Sequence, residues 1–218
     1  MGRSANERQG GQSAPVVAFD FDGTLTFQDS FMAFLAWRAG PLGYAFGLLA
    51  LIPEGLVYAV RRDRGRLKAA AARIFLGRLS REALAASCRD FADSPLGRRL
   101  IRPDAEQCWA EWRAKGAHLV IVTASPEDLV APFAERLGAD ALIGTRLRYD
   151  AAGRLEGRLE GLNCRGPEKV VRLRAAYGPD IRLAAAYGDS GGDLQMLQIA
   201  DIQGYRVFHA VRPRPAPV

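Results

Sequence analysis

The sequence predicts an α/β fold: a doubly wound, mainly parallel sheet with a helical cap inserted after the first strand. Two observations predict it. Short apolar runs at residues 16–19, 118–122 and 183–187 alternate, in the second half of the chain, with helix-patterned segments. The stretch 30–102 breaks that alternation, because it is helical in pattern almost throughout and separates the first apolar run from the second. A chain of 218 residues, 49% hydrophobic and 25% charged, has room for one such core with a smaller insertion.

In order along the chain, residues 1–14 are polar and rich in Gly and Ser, which reads as a loose tail. Val16-Val17-Ala18-Phe19 reads as a short buried strand between Pro15 and Asp20. The core is expected over 15–29 and 103–208, with the cap over 30–102. Within the cap, residues 42–60 carry a single charge, Glu54. Pro53-Glu54-Gly55 divides this run into halves too short to span a bilayer, which takes about 20 apolar residues. We read it as an apolar hairpin, either buried in the cap or dipping into one leaflet. Next comes Arg61-Arg62-Asp63-Arg64-Gly65-Arg66-Leu67-Lys68. It is either a solvated face or a basic flank for an anionic membrane surface. Core helices follow at 103–115, 126–137 and 167–177, each with Pro at its start and Gly at its end. Residues 141–161 carry an Asp-Ala-Ala-Gly turn between strand-like arms and read as a β-hairpin. Residues 209–218 form a Pro-rich tail.

Bulk charge narrows the partners. The net charge of +6 fits an anionic surface or phosphorylated substrate as well as plain solubility. The basic residues cluster beside apolar rather than aromatic sequence, so no nucleic acid is expected. Cys88, Cys108 and Cys164 are scattered, which argues against a disulfide framework or zinc site and for a reducing, cytoplasmic setting; the apolar run and its basic flank add peripheral contact at the cytoplasmic membrane face as an expectation. The oligomeric state is open.

The chemistry concentrates at strand ends. Asp20 and Asp22 follow the first strand in Asp-x-Asp-Gly-Thr, where ligands of open parallel sheets bind. Thr123-Ala124-Ser125 ends the second strand and opens onto a helix, offering hydroxyls and N–H groups to an anion. Lys169 lies in the first turn of a helix, where the helix dipole disfavours a cation and a phosphate would favour one. Gly188-Asp189-Ser190-Gly191-Gly192-Asp193 is a tight acidic turn suited to Mg²⁺. Together these suit phosphate-ester cleavage. Asp20 is the expected nucleophile and Asp22 the acid–base group. Thr123, the Ala124 N–H and Lys169 are the expected phosphate holders. Asp20, the Asp22 carbonyl and Asp189 are the expected Mg²⁺ ligands, with Asp193 orienting Lys169 or a metal-bound water.

These four segments, in this order, resemble the motifs of the haloacid dehalogenase superfamily. An acid at Asp22 is similar to its phosphatases, and an insertion directly after the first motif is similar to its phosphoserine phosphatase-like branch. The resemblance implies a Rossmann-like core, Mg²⁺, an aspartyl-phosphate and a phosphate monoester substrate. Asp29 stands where phosphoserine phosphatases carry an acid for the substrate amine. However, Gly192 replaces their usual Asn, and Thr123-Ala124 replaces their Ser-Gly. The segments NCRGPEKVVRL and YRVF and the apolar cap look more like the phosphatidylglycerophosphatase C enzymes, which act on a membrane lipid precursor. On that resemblance Arg61 and Arg62 are candidate head-group contacts. A soluble phosphoserine-like phosphatase and a non-catalytic phosphate- or membrane-binding module are the alternatives.

Overall fold

The computed structural model describes residues 14–212; residues 1–13 of the expected 1–14 tail and 213–218 of the expected 209–218 tail lie outside them. Six strands form one sheet in the order β4-β3-β2-β1-β5-β6. β1 (Val16–Phe19) lies in the middle, parallel to β2 (His118–Pro126) and β5 (Leu183–Gly188). β3 (Ala141–Tyr149) joins β2 in parallel, and β6 (Ala200–Tyr205) joins β5 in parallel. β4 (Leu155–Glu160) pairs antiparallel with β3 and closes the hairpin that the Asp-Ala-Ala-Gly turn predicts. The fold class is the one read from the sequence. Strand β6 was not anticipated, because its alternation of Ala200, Ile202 and Gly204 with Asp201 and Gln203 is too short and polar to mark it.

The central strands are buried on both faces, and that explains their unbroken apolar runs. Val17, Phe19, Leu119 and Ile121 enter one hydrophobic cluster; Ala18, Val120 and Val122 enter the other. On the first face lie α5 (Pro103–Ala114) and α6 (Glu127–Leu137), which also meet the helices inserted between β1 and α5. Trp109 and Trp112 are packing residues here: Trp109 donates to Leu137 O at 2.9 Å and Trp112 to the Tyr187 hydroxyl at 2.8 Å. α7 (Pro167–Tyr177) and α8 (Leu194–Gln198) contribute Leu173, Met196 and Leu197 to the second face.

The inserted helices are α1 (Ser30–Arg61), α2 (Arg64–Leu76), α3 (Arg81–Asp93) and α4 (Pro95–Arg98). The chain leaves and re-enters the core side by side, with the Phe27 N–H on Leu100 O at 2.9 Å and the Arg102 N–H on Leu25 O at 2.8 Å. Aromatic packing fastens the insertion to the core. The Phe91 ring of α3 lies 5.5 Å from Phe34 and from Trp37 of α1, and 6.1 Å from Phe133 of α6.

The expected apolar hairpin is not present. α1 runs on through Pro53-Glu54-Gly55, and its break falls at Gly40, whose φ of 67° is non-helical, with Pro41 opening the longer stretch. Pro53 removes one hydrogen bond to a carbonyl four residues earlier, that of Leu49, which lies on the exposed side of the helix. Along residues 41–61 the two sides of α1 differ. Tyr44, Gly47, Leu51, Glu54 and Tyr58 are covered to varying degrees: Phe75 of α2 packs on Gly47, and Glu54 accepts from Arg66 Nε at 2.9 Å. Leu42, Phe46, Leu49, Ile52, Leu56 and Val60 are exposed at 77%, 69%, 61%, 52%, 67% and 84%. Their spacing of three or four residues makes one continuous apolar stripe.

Phe91 is fully buried where three elements meet. We predict that Phe91→Ala lowers unfolding stability by about 3–5 kcal/mol in a denaturant titration; a loss below about 1 kcal/mol would show that the insertion does not depend on this contact.

Candidate active site

The carboxyl ends of β1, β2 and β5 converge, and the sequence-predicted residues come to that edge. Asp20 ends β1, and the chain then makes a single π-type turn over Phe21–Leu25. Gly23 allows this turn, with φ at 80° and the Asp189 carboxylate so close that a Cβ would lie 2.3 Å from its Oδ2.

Lys169 joins the pieces. Its ammonium is 1% exposed and donates to Asp20 Oδ1 at 2.6 Å, Asp193 Oδ1 at 2.7 Å and Val122 O at 2.6 Å. All three of its protons are used. Burial works against its charge, but Asp20 and then Asp193 outweigh it and hold the ammonium above the ordinary lysine range. Asp193 is thereby held below the usual carboxylate range, since Lys169 and the Ser190 N–H and hydroxyl outweigh its burial. Burial raises Asp20 to about 7, with Lys169 opposing and Asp193 and Asp22 adding to it. Among the described residues Asp20 Oδ2 has only a 3.5 Å contact, from the Thr24 hydroxyl, so one oxygen is tied and the other is nearly unbonded in a residue that lines the cavity.

Asp22 is fixed separately. Its Oδ1 accepts from the Ser30 N–H at 2.7 Å and its Oδ2 from the Ser125 hydroxyl at 2.5 Å. Burial, and then the Asp29 charge, raise its carboxyl above the usual range. Thr123 is fully buried with its Oγ1 accepting from the Ser125 N–H at 3.0 Å, while Ala124 reaches the cavity. Asp29 lines the cavity and also caps α1, accepting from the Met32 N–H at 2.8 Å.

Carboxylate oxygens of Asp20, Asp189 and Asp193 lie within 4.8 Å of one another. The Asp189 carboxyl is raised by burial and by Asp193. Three clustered carboxylates in a half-dry site, two of them raised, fit a hard divalent cation held by oxygen donors. Asp193 already gives both oxygens to Lys169 and Ser190, so Asp20 and Asp189 are the carboxylates with capacity to spare.

Two expectations change. Arg61 and Arg62 are exposed and are not among the residues lining the catalytic cavity, because they sit at the exposed C-terminal end of α1, with Arg62 its left-handed cap; Arg62 instead lines a shallower groove. The cations that line the cavity from the insertion are Arg64 and Lys68, one helical turn apart on α2. Reading the basic run as one patch hid this, although spacing of four marks a shared face. Lys68 donates a short hydrogen bond to Ala124 O. Ser125 also serves the site, through its hydroxyl on Asp22, a role that the Thr-Ala-Ser spacing does not mark. Gly192 has a local reason: a Cβ there would lie 2.3 Å from Arg165 Nη1, and Arg165 lines the cavity. His118 opens β2 and bonds the Tyr177 hydroxyl at 3.0 Å, at the opposite end of the sheet.

Removing Lys169 should leave Asp20 and Asp193 buried without a counter-charge. We predict that Lys169→Met costs about 3–5 kcal/mol at pH 7 in chelator-treated protein. The unpaired carboxyls would then titrate above their unfolded values, so the deficit should shrink as pH falls through that raised range. A deficit independent of pH would place the cost elsewhere.

Comparisons with known proteins agree with this geometry. The sequence profile of haloacid dehalogenase-like hydrolases matches residues 17–198. Protein CicA of Caulobacter vibrioides (strain NA1000 / CB15N) is 56% identical over 206 residues, covering 94% of this chain and 90% of that protein. Among solved structures, a Bordetella pertussis Tohama I protein of unknown function superposes with a TM-score of 0.71 at 24% identity, covering 86% of this chain and 87% of that one. A phosphoserine phosphatase solved as a phospho-aspartyl intermediate analogue gives 0.58 at 22% identity, covering 88% and 86%. The chain belongs to the haloacid dehalogenase-like hydrolases.

Proposed function

We propose that this hydrolase is a Mg²⁺-dependent phosphomonoesterase working through an aspartyl-phosphate on Asp20. The observation that carries this reading is the contrast between the two acids. Asp20 is locked to Lys169 through one oxygen with the other facing the cavity, whereas Asp22 is held by Ser30 and Ser125 beside it. One suits attack and the other proton transfer. Asp20 forms a bond to phosphorus as the bond to the leaving oxygen breaks, and Asp22 gives that oxygen its proton. Asp22 then takes a proton from the water that attacks the phosphoryl group, releasing phosphate and free Asp20. Of the expected phosphate holders, Ala124 lines the cavity, whereas Thr123 is fully buried and Lys169 already donates three hydrogen bonds, so the Ala124 N–H is the proposed contact and Lys169 would act through its charge. Asp20, the Asp22 carbonyl and Asp189 would hold Mg²⁺, which lowers the charge repulsion between carboxylate and phosphate. Asp20→Asn should drop turnover of p-nitrophenyl phosphate by at least about 10³-fold, and chelation should do the same reversibly; turnover undiminished in Asp20→Asn contradicts the assignment.

The finer reading is a lipid-linked substrate such as phosphatidylglycerophosphate, met at the cytoplasmic face of an anionic membrane. It is supported by α1, whose covered side brings Leu51 and Tyr58 to the cavity while its other side carries the exposed apolar stripe, with exposed Arg61, Arg62 and Arg64 at its end. A helix held to α2 along one side can bury its other side in the lipid interface without crossing. Leu49→Asp with Leu56→Asp should abolish co-sedimentation with anionic vesicles and leave p-nitrophenyl phosphate turnover intact. Binding that persists in the double variant rejects the membrane reading. A soluble phosphoserine-like ester is the second reading, favoured by Asp29 lining the cavity. A kcat/KM preference for phosphoserine over the lipid ester would select it.

A further inference from the structure

Strand β2 carries the Thr123-Ala124-Ser125 segment, and its pairing with β3 is irregular there. Val122 pairs with Ile143 and Pro126 with Thr145, so four steps along β2 face two along β3. Such a bulge takes residues out of the ladder and bends the strand, a device common beside active sites. The backbone groups it releases need other partners, because a buried carbonyl or N–H left alone is costly. Val122 O, before the bulge, accepts from Lys169. The Ser125 N–H donates to Thr123 Oγ1 at 3.0 Å. Ala124 O is served by Thr145.

Thr145 lies on β3 and is fully buried. Its hydroxyl donates to Ala124 O at 2.7 Å and accepts from the Cys164 N–H at 3.0 Å. Asn163 Oδ1 is 2.9 Å away, but the hydroxyl has one proton and its shorter contact is to Ala124 O. One side chain thus joins Ala124 to the loop before α7, and Ala124 and Asn163 both line the catalytic cavity. The neighbouring Gly144 lets β3 lie against the bulge, since a Cβ there would come within 3.1 Å of Ser125 O and 2.8 Å of Glu127 Cγ. Shape does not require a hydroxyl at 145. Valine branches in the same way and suits a strand equally, so the Ala124 carbonyl is what accounts for threonine. Lys68 also donates to Ala124 O, but it comes from the insertion; Thr145 supplies the donor from the core itself.

We propose that Thr145 is a positioning residue for the phosphoryl site. Its hydroxyl stands in for the ladder bond lost at the bulge and fixes Ala124, whose N–H is the proposed phosphate contact. The inference rests on the phosphomonoesterase reading and goes beyond it, assigning the brace of the phosphate site to a residue that never meets the substrate. A donor aimed at developing charge loses most of its value when it is displaced by about 1 Å. Satisfying a buried carbonyl, with no effect on the site, is the competing role. It predicts lower stability with phosphate recognition unchanged.

The test compares wild type, Thr145→Val and Thr145→Ser in turnover of p-nitrophenyl phosphate with Mg²⁺, and in calorimetric binding of inorganic phosphate. Thr145→Val should lose at least about tenfold in both kcat/KM and phosphate affinity, and Thr145→Ser should recover most of each. A smaller loss of either in Thr145→Val, or an equal loss in Thr145→Ser, overturns the assignment. If Thr145→Val does not fold, Thr145→Ala takes its place, judged against Thr145→Ser, from which it differs by the hydroxyl alone. Failure of wild type to cleave the ester would reject the phosphomonoesterase reading, and the ratio of phosphate affinities would still decide the brace. Wild type that binds no phosphate overturns both.

Discussion

A buried ammonium between two buried carboxylates is the constraint on which this site depends. Lys169 reaches from the first turn of α7 to Asp20 at the end of β1, to Asp193 before α8 and to Val122 O on β2. Those contacts fix three strand ends relative to one another. None of the three charged groups is tolerable in this interior alone, because an unpaired buried charge costs several kcal/mol. The sheet places them together; the ion pairs hold Lys169 and Asp193 charged and oppose, without cancelling, the rise that burial causes at Asp20. The cluster also positions Asp20, the proposed nucleophile, since one of its oxygens is committed to Lys169.

The insertion is tied to this site at two points. Its first residue, Ser30, gives its N–H to Asp22, so the proposed proton-transfer group is oriented partly by the insertion. Its second helix sends Lys68 to Ala124 O. The Phe91 cluster gives this arrangement a hydrophobic anchor on α6. On the proposed mechanism, a change in the inserted helices that shifts Ser30 would reach the proton-transfer step through Asp22.

Much of the fold was legible because its signals are local. Parallel strands buried on both faces must be apolar throughout, and Pro and Gly mark the helix ends. The acids were legible because carboxylates at strand ends have few structural uses. What escaped has a common cause, namely that it depends on which face of a helix is covered. Pro53-Glu54-Gly55 looked like a turn, but a helix with an exposed carbonyl row absorbs a proline, and Glu54 is drawn inward by Arg66. The basic run looked uniform, but α2 turns Arg64 and Lys68 toward the catalytic cavity and pairs Arg66 with Glu54. Ser125 acts across the sheet on a residue 103 positions earlier, and no local pattern carries that.

The account stands most directly on the covalent step. Acid-quenching the intact enzyme during steady-state turnover and reducing it with borohydride converts an aspartyl-phosphate to homoserine, which peptide mass spectrometry locates. The account predicts homoserine at Asp20, absent from samples quenched without substrate. Homoserine at another acid, or full turnover with none trapped at any time after mixing, would contradict it.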